Sequence, residues 1–358
     1  MKIILTFLFV AASAVSDPFF DTLLAPFTGE VPGASLAVYK NGELFFEKSV
    51  GLADLENKIP VEPNTHFRIA SMTKAFTALT ALMLIDRGQL SFDTRITDLF
   101  PKFPVYGKSI SVFHLLHHQS GLLDYEDLMP SEETTPILDK GVVDLLAHQD
   151  HTYFAPGTQF RYSNGGYALL AQIVETISQT SFAAFLKSQV FLPLGMFSSL
   201  AFEAGLSTVP HRAYGYSPSG SSFVRTDQSV TSSVLGDGGV YTSTRDYLFW
   251  SRFLDEPNLL SEDLALALFE PAPLSTGEAT HYASGWMIDT YKGKRHQFHT
   301  GSTIGFRSAV ERFPDDHLTI VFFSNRGDVT PQSFTQSAMD HLLFERRTDK
   351  PVCRALQK

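Results

Sequence analysis

From Ala75 to Ile85 the chain is apolar almost throughout, no proline interrupts it, and Asp86 to Gly88 end it. A helix that is apolar all round has no face to give to water, so it must be buried. Whatever fold this chain adopts therefore wraps a core around that helix. Immediately before it stands Ser71-Met72-Thr73-Lys74, so a hydroxyl and an amine enter the core together. Residues three apart at a helix start lie on one face. A lysine there can take a serine's proton if it is neutral, and burial favours the neutral form. The helix N-terminus also favours negative charge developing at the serine. Alone, the same four residues equally fit an N-capping serine with a surface lysine.

The surrounding pattern is mixed. Val31 to Lys40 and Glu43 to Val50 read as strands joined at Asn41-Gly42, a hairpin turn signal. Residues 101–245 read as mainly helical with long loops, with helical spacing over Ser111 to His118 and Tyr167 to Ser178. Gly165-Gly166 read as a tight turn before the second of these. Tyr282 to Thr290, His296 to Thr300, Phe306 to Phe313 and His317 to Phe323 each fit one strand, with Pro314-Asp315-Asp316 as the last turn. Pro331 to Glu345 closes as a helix. Strands at both ends with helices between predict an α+β lobe built from both termini (about 17–100 and 246–358) and a helical lobe from about 101 to 245.

Two further motifs follow the first in order. In Tyr162-Ser163-Asn164, a tyrosine can act as general base beside cationic neighbours, and an asparagine two residues on can donate to a substrate carbonyl. A similar triplet, Tyr39-Lys40-Asn41, is rejected because it precedes Ser71 and its asparagine lies in the hairpin turn. In His299-Thr300-Gly301, a glycine in a strand lets a substrate approach the backbone, and the N–H of Ser302 could pair with that of Ser71 as an oxyanion hole. Each motif alone fits a bland structural role; the three together, in this order, do not.

The 358 residues are 44% hydrophobic, and 31 of them are phenylalanine, enough for a large core without staples. The net charge of -10 with no basic run argues against nucleic acid as partner. Lys2, the apolar run to Ala12 and the small residues to Ser16 read as a secretory leader, residues 1–16, cut after Ala14 or Ser16. No later stretch is long and apolar enough to span a bilayer, so the expected product is exported, periplasmic or secreted. The single cysteine, Cys353, allows no internal disulfide and reads as a bland thiol in a polar tail. His114 and His118 at helical spacing suggest a metal pair, but no glutamate follows the first as in zinc proteases, and packing is the better reading. His148 and His151 read as solvated. No Gly-x-Ser-x-Gly occurs, which argues against an α/β-hydrolase.

Together with Phe67-Arg68-Ile69-Ala70 before the nucleophile, Gly88-Gln89-Leu90, His114-Leu115-Leu116, Ser120-Gly121-Leu122, Pro193-Leu194-Gly195-Met196 and Gly238-Gly239-Val240-Tyr241, the three motifs resemble the serine β-lactamase-related family. The likeness runs from about Pro32 to Asn325. It implies a β-lactamase/transpeptidase-like α+β fold, an antiparallel sheet flanked by helices beside an all-helical lobe, with the site between them. It implies an acyl-enzyme on Ser71, proton transfer by Lys74 and Tyr162, amide binding by Asn164, and a site-lining strand at His299, Thr300 and Gly301. No cofactor and no metal is implied, and the partner is a small ester, amide or peptide. Penicillin-hydrolysing members usually carry lysine where this chain has His299, whereas some carboxypeptidases and esterases carry histidine. The expected activity is thus ester or amide hydrolysis, with D-alanyl-D-alanine carboxypeptidase or D-aminopeptidase, then β-lactamase, as alternatives. A catalytically silent, penicillin-binding-like interaction protein is the non-enzymatic rival.

Overall fold

The structure, a computed structural model, describes residues 17–345. The leader and Cys353 lie outside them. Six strands form one antiparallel sheet: β1 (Ala34–Lys40), β2 (Glu43–Val50), β3 (Met287–Tyr291), β4 (Lys294–Thr303), β5 (Phe306–Phe313) and β6 (Leu318–Ser324), in spatial order β3-β4-β5-β6-β1-β2. The N-terminal hairpin thus completes a C-terminal sheet, with Val38 opposite Ile320 and Leu36 opposite Phe322. Asn41 and Gly42 make its turn with φ of 52° and 72°, the left-handed pair that a two-residue hairpin needs.

The two central strands, β5 and β6, are buried along almost their whole length because both sheet faces are covered. On β6, Leu318, Ile320 and Phe322 join one core, while Val321 and Phe323 join the other, the alternation a pleated strand imposes. The smaller core is closed by the helices Pro18–Leu23 and Pro331–Leu343. The larger contains the helix Thr73–Asp86, buried from Thr73 to Leu84 as its sequence requires.

The middle segment holds the helices Val112–Leu116, Asp139–Ala147 and Asn164–Ser178 among others. It also carries short strands. Leu200–Ala201 and Val240–Thr242 join Phe67–Arg68 in a small sheet just before Ser71, and Tyr216–Ser219 pairs with Ser222–Arg225. Two- to four-residue strands are too short to show alternation in sequence. Among the described residues no single helix is long and apolar enough to cross a membrane; Asn164–Ser178 and Phe182–Leu194 qualify only together and are bent by 78°.

Three local expectations are corrected. The strand expected over Tyr282 to Thr290 starts only at Met287. Gly285 has φ of 85°, and a Cβ there would sit 2.5 Å from the Cα of Ala75, so the chain turns where it passes the buried helix. Gly165-Gly166 form no turn but the first turn of the helix that starts at Asn164. The helix expected to reach His118 ends at Leu116, and His118 has φ of 56°, so His114 and His118 share no helix face. His148 and His151 are exposed, as read.

Candidate active site

Ser71 stands in a single 3-10 turn, Ala70–Met72, that feeds the buried helix. The preceding Ala70 has φ of 47°, a left-handed conformation that costs a non-glycine residue free energy and marks a tightly constrained turn. Neighbours on both sides hold it. Arg68, buried, donates to the carbonyls of Gly238 (2.9 Å) and Ser232 (3.0 Å), and Ser308 Oγ donates to the carbonyl of Ile69 (2.8 Å).

Lys74 is fully buried one helical turn on. Its Nζ lies 3.1 Å from Ser71 Oγ, 2.9 Å from Asn164 Oδ1 and 2.9 Å from the carbonyl oxygen of Asp237. Two of those partners, the amide oxygen and the carbonyl, are acceptors only. They take two N–H bonds, and the third direction of the nitrogen points at the hydroxyl. In the neutral amine that direction carries the lone pair, so the arrangement orients a base at Ser71. Asn164 is held from its other end, its Nδ2 donating to Glu126 Oε1 at 2.8 Å.

Tyr162 packs its ring 4.8 Å from Lys74 Nζ. Its hydroxyl is buried, with no hydrogen-bond partner among the described residues. Asn164 begins the helix Asn164–Ser178, which Ser163 caps by accepting from the N–H of Gly166 at 3.1 Å. The three residues of that motif are thus one residue of loop, one cap and one first helical turn.

β4 supplies the third wall. His299 is buried 6.1 Å, ring to ring, from Tyr162, with Nδ1 2.7 Å from the Thr300 carbonyl and Nε2 3.4 Å from Tyr282 Oη. The Thr300 carbonyl can only accept, so Nδ1 carries the proton and Nε2 is the acceptor. Burial, with Lys74 nearby, pushes the imidazole down to about 3, so it is neutral. Gly301 meets a constraint beyond the one expected. A Cβ there would lie 2.1 Å from the Ile69 carbonyl, so glycine lets β4 run against the turn that bears Ser71. Ser302, next along, is exposed. Among the described residues β3 pairs with β4 only as far as Phe298.

The structure therefore brings Ser71, Lys74 and Asn164 into direct contact and sets Tyr162 and His299 around them. It adds residues that the motifs did not contain. Asp237, buried, accepts from Tyr125 Oη at 3.1 Å while its own carbonyl holds Lys74. Burial pushes its carboxyl up to about 6, with Lys74 and Arg68 pulling it down and Glu126 pushing it up. Asp139, also buried, accepts from the N–H groups of Leu235 and Gly236 at 2.8 and 2.9 Å and so fixes the loop that carries Asp237. Glu126 and His118 complete the surroundings.

Comparison with known proteins identifies the family. The Beta-lactamase family model matches residues 20–340. Penicillin-binding protein 4* of Bacillus subtilis (strain 168) is 30% identical over 328 residues, 87% of this chain and 72% of that protein. The penicillin binding protein from Bacillus halodurans superposes with a TM-score of 0.78 at 26% identity, covering 91% of this chain and 99% of that one. D-amino acid amidase from Ochrobactrum anthropi SV3, solved with L-phenylalanine amide, gives 0.77 at 22% identity over 91% and 98% of the two chains, a likeness of fold. With most of its length matched by the family model and its three motifs converging on one serine, this chain belongs to the beta-lactamase family of serine hydrolases and penicillin-binding proteins.

Proposed function

We propose that this chain hydrolyses an ester or amide through an acyl-enzyme on Ser71, and does so after export under the leader read at residues 1–16. The observation that carries the reading is the 3.1 Å contact between Lys74 Nζ and Ser71 Oγ, with the other two directions of that nitrogen tied to Asn164 and Asp237. Ser71 Oγ attacks the carbonyl carbon, and its proton passes to the neutral amine of Lys74. The N–H groups of Ser71 and Ser302 hold the carbonyl oxygen as it becomes negative. The proton then returns by way of Tyr162 to the departing alcohol or amine as its bond to carbon breaks. Water next attacks the acyl ester, loses a proton to the same groups, and releases the acid and Ser71.

A neutral His299 offers no charge to a substrate carboxylate. This favours neutral esters over penicillins or peptides with a free carboxyl group. One observation favours a second reading. Glu126 is exposed and hydrogen-bonded to Asn164, so a carboxylate stands beside the amide-binding residue. An amide substrate with a free ammonium group suits that charge, as in the amino acid amide held by the amidase of similar fold. A hydrolysis panel decides between them: neutral acyl esters, D-amino-acid amides, D-alanyl-D-alanine peptides and a chromogenic cephalosporin. The proposal expects the first two to be turned over ahead of the last two. Preference for the carboxylate-bearing pair would contradict it.

A further inference from the structure

One residue outside the three motifs holds the backbone on both sides of Tyr162. The N–H of Arg161 donates to the carbonyl of His118 at 2.9 Å, and the N–H of Ser163 donates to His118 Nδ1 at 3.1 Å. Between these two bonds the Tyr162 ring lies 4.3 Å from the imidazole, which also packs 4.4 Å from Tyr282 and 5.0 Å from Tyr167. His118 is 1% exposed. We propose that His118 is the positioning residue for Tyr162, clamping the loop on either side of it so that its ring stays against Lys74.

The arrangement specifies its own chemistry. A backbone N–H can only donate, so Nδ1 must accept and the ring must be the Nε2–H tautomer. A protonated ring would lose that acceptor. Burial keeps the ring neutral, and Lys74, His299 and His117 push in the same direction, moving its titration well below the ordinary value. The left-handed backbone, φ 56°, is what aims carbonyl and side chain at neighbouring residues of one loop. The clamp continues into the helix start, because Ser163, held by His118 through its N–H, uses its own Oγ to cap the helix bearing Asn164. Two of the three motif residues are therefore set by a histidine from a segment 44 positions earlier, outside any motif.

The inference rests on Tyr162 taking part in acyl transfer, and two readouts keep the two ideas apart. The first is the rate at which a fluorophosphonate labels Ser71, followed by intact mass. Asparagine tolerates φ > 0 and its Oδ1 reproduces the acceptor, so His118→Asn should label within about threefold of wild type. His118→Gly keeps the backbone but removes the acceptor, and should be slower by about 10²-fold, the cost of a group misplaced by about 1 Å. In a Tyr162→Phe background the same glycine change should cost under about threefold, because the group it positions is gone. Equal cost in both backgrounds, or asparagine as slow as glycine, overturns the proposal. The second readout needs no turnover: 3-fluorotyrosine at position 162, observed by fluorine NMR. Its resonance should shift or broaden in His118→Gly and stay near wild type in His118→Asn. An unchanged resonance in His118→Gly refutes the clamp by itself, whereas failure of wild type to take any label at Ser71 removes the hydrolase reading and leaves the fluorine result to decide the clamp.

Discussion

His296 and His299 lie three residues apart on β4, both about 4% exposed, yet the two ends of that strand treat an imidazole in opposite ways. At His296, burial alone would lower the titration. Glu311 at 2.7 Å and Asp289 at 2.7 Å overcome it and hold the ring above its ordinary 6.5. At His299, burial and the neighbouring Lys74 push the same way and the ring falls to about 3. Phe298 and Phe313 stack on His296, and Thr335 from the C-terminal helix donates to Glu311 at 2.9 Å. One end is a charged clasp that ties the edge strand β3 and a covering helix to the sheet. The other is a neutral wall of the candidate site. Burial alone thus does not decide a histidine's state; the sign of the charges buried with it does.

The largest effects belong to the site end and should leave the clasp untouched. Lys74→Ala and Tyr162→Phe should each lower kcat by about 10²–10⁴-fold, the range for general acid–base groups. The double variant should be little worse than the poorer single one, since the two share a proton path. Urea unfolding of Tyr162→Phe should match wild type. Fully multiplicative losses in kcat would separate the two roles.

At the clasp end the effect should be on stability alone. His296→Ala strands Glu311, which is 0% exposed, without its cationic partner. That should cost about 3–5 kcal/mol in urea unfolding with kcat unchanged, as for other buried pairs broken on one side. A drop in kcat comparable to that of the site variants would show that the strand transmits the clasp's state to the site.

The pH dependence should separate the two ends by sign. His296 binds its proton more tightly folded than unfolded, so its contribution is complete below 6.5 and is lost as pH rises through its raised value. His299 binds its proton more weakly folded. Its contribution is present above 6.5 and is lost as pH falls from there toward about 3. His296→Gln should therefore reduce the alkaline fall in unfolding midpoint without abolishing it, because His341, which burial would lower but Asp17 and Glu345 raise, acts on the same limb. His299→Gln should reduce the acid fall without abolishing it, because His117, lowered to about 4, and His118 act on the same limb. An alkaline fall left unchanged in His296→Gln would place its source elsewhere.

The smallest expected effect is on selectivity. For a matched pair of esters, one bearing a carboxylate, the wild-type kcat/KM ratio should not change between pH 5.5 and pH 8, because His299 is neutral at both. His299→Lys should shift the ratio toward the carboxylate-bearing ester by about tenfold, a small part of the several kcal/mol that two close charges gain near a surface. A wild type that already prefers the carboxylate-bearing ester a hundredfold at pH 8 would mean that another cation holds that group.

What the sequence revealed follows from how far each signal reaches along the chain. The buried helix, the Asn41-Gly42 hairpin and the strand Phe306–Phe313 are encoded by neighbouring residues, and each appears where its pattern stands. Ser71, Lys74 and Asn164 were legible because the family's motifs mark them. Asp237, Asp139 and Glu126 were not, because each acts through a contact with residues far away in sequence. Tyr125 and Asp237, for instance, are 112 positions apart. Gly301 is readable as a point of close approach, but only the folded chain shows that the Ile69 carbonyl presses against it. His118 was weighed as a metal ligand or packing residue because the spacing promised a helix, and the left-handed backbone at that position has no mark in the residue type.

The central claim is that Ser71 is the nucleophile and Lys74 its base. Intact-mass spectrometry of the whole protein after fluorophosphonate treatment tests it most directly. Wild type should gain the mass of one adduct, peptide mapping should place it on Ser71, and Ser71→Ala, folded to the same urea midpoint, should gain none. An adduct that persists in Ser71→Ala, or its absence from wild type, would contradict the account.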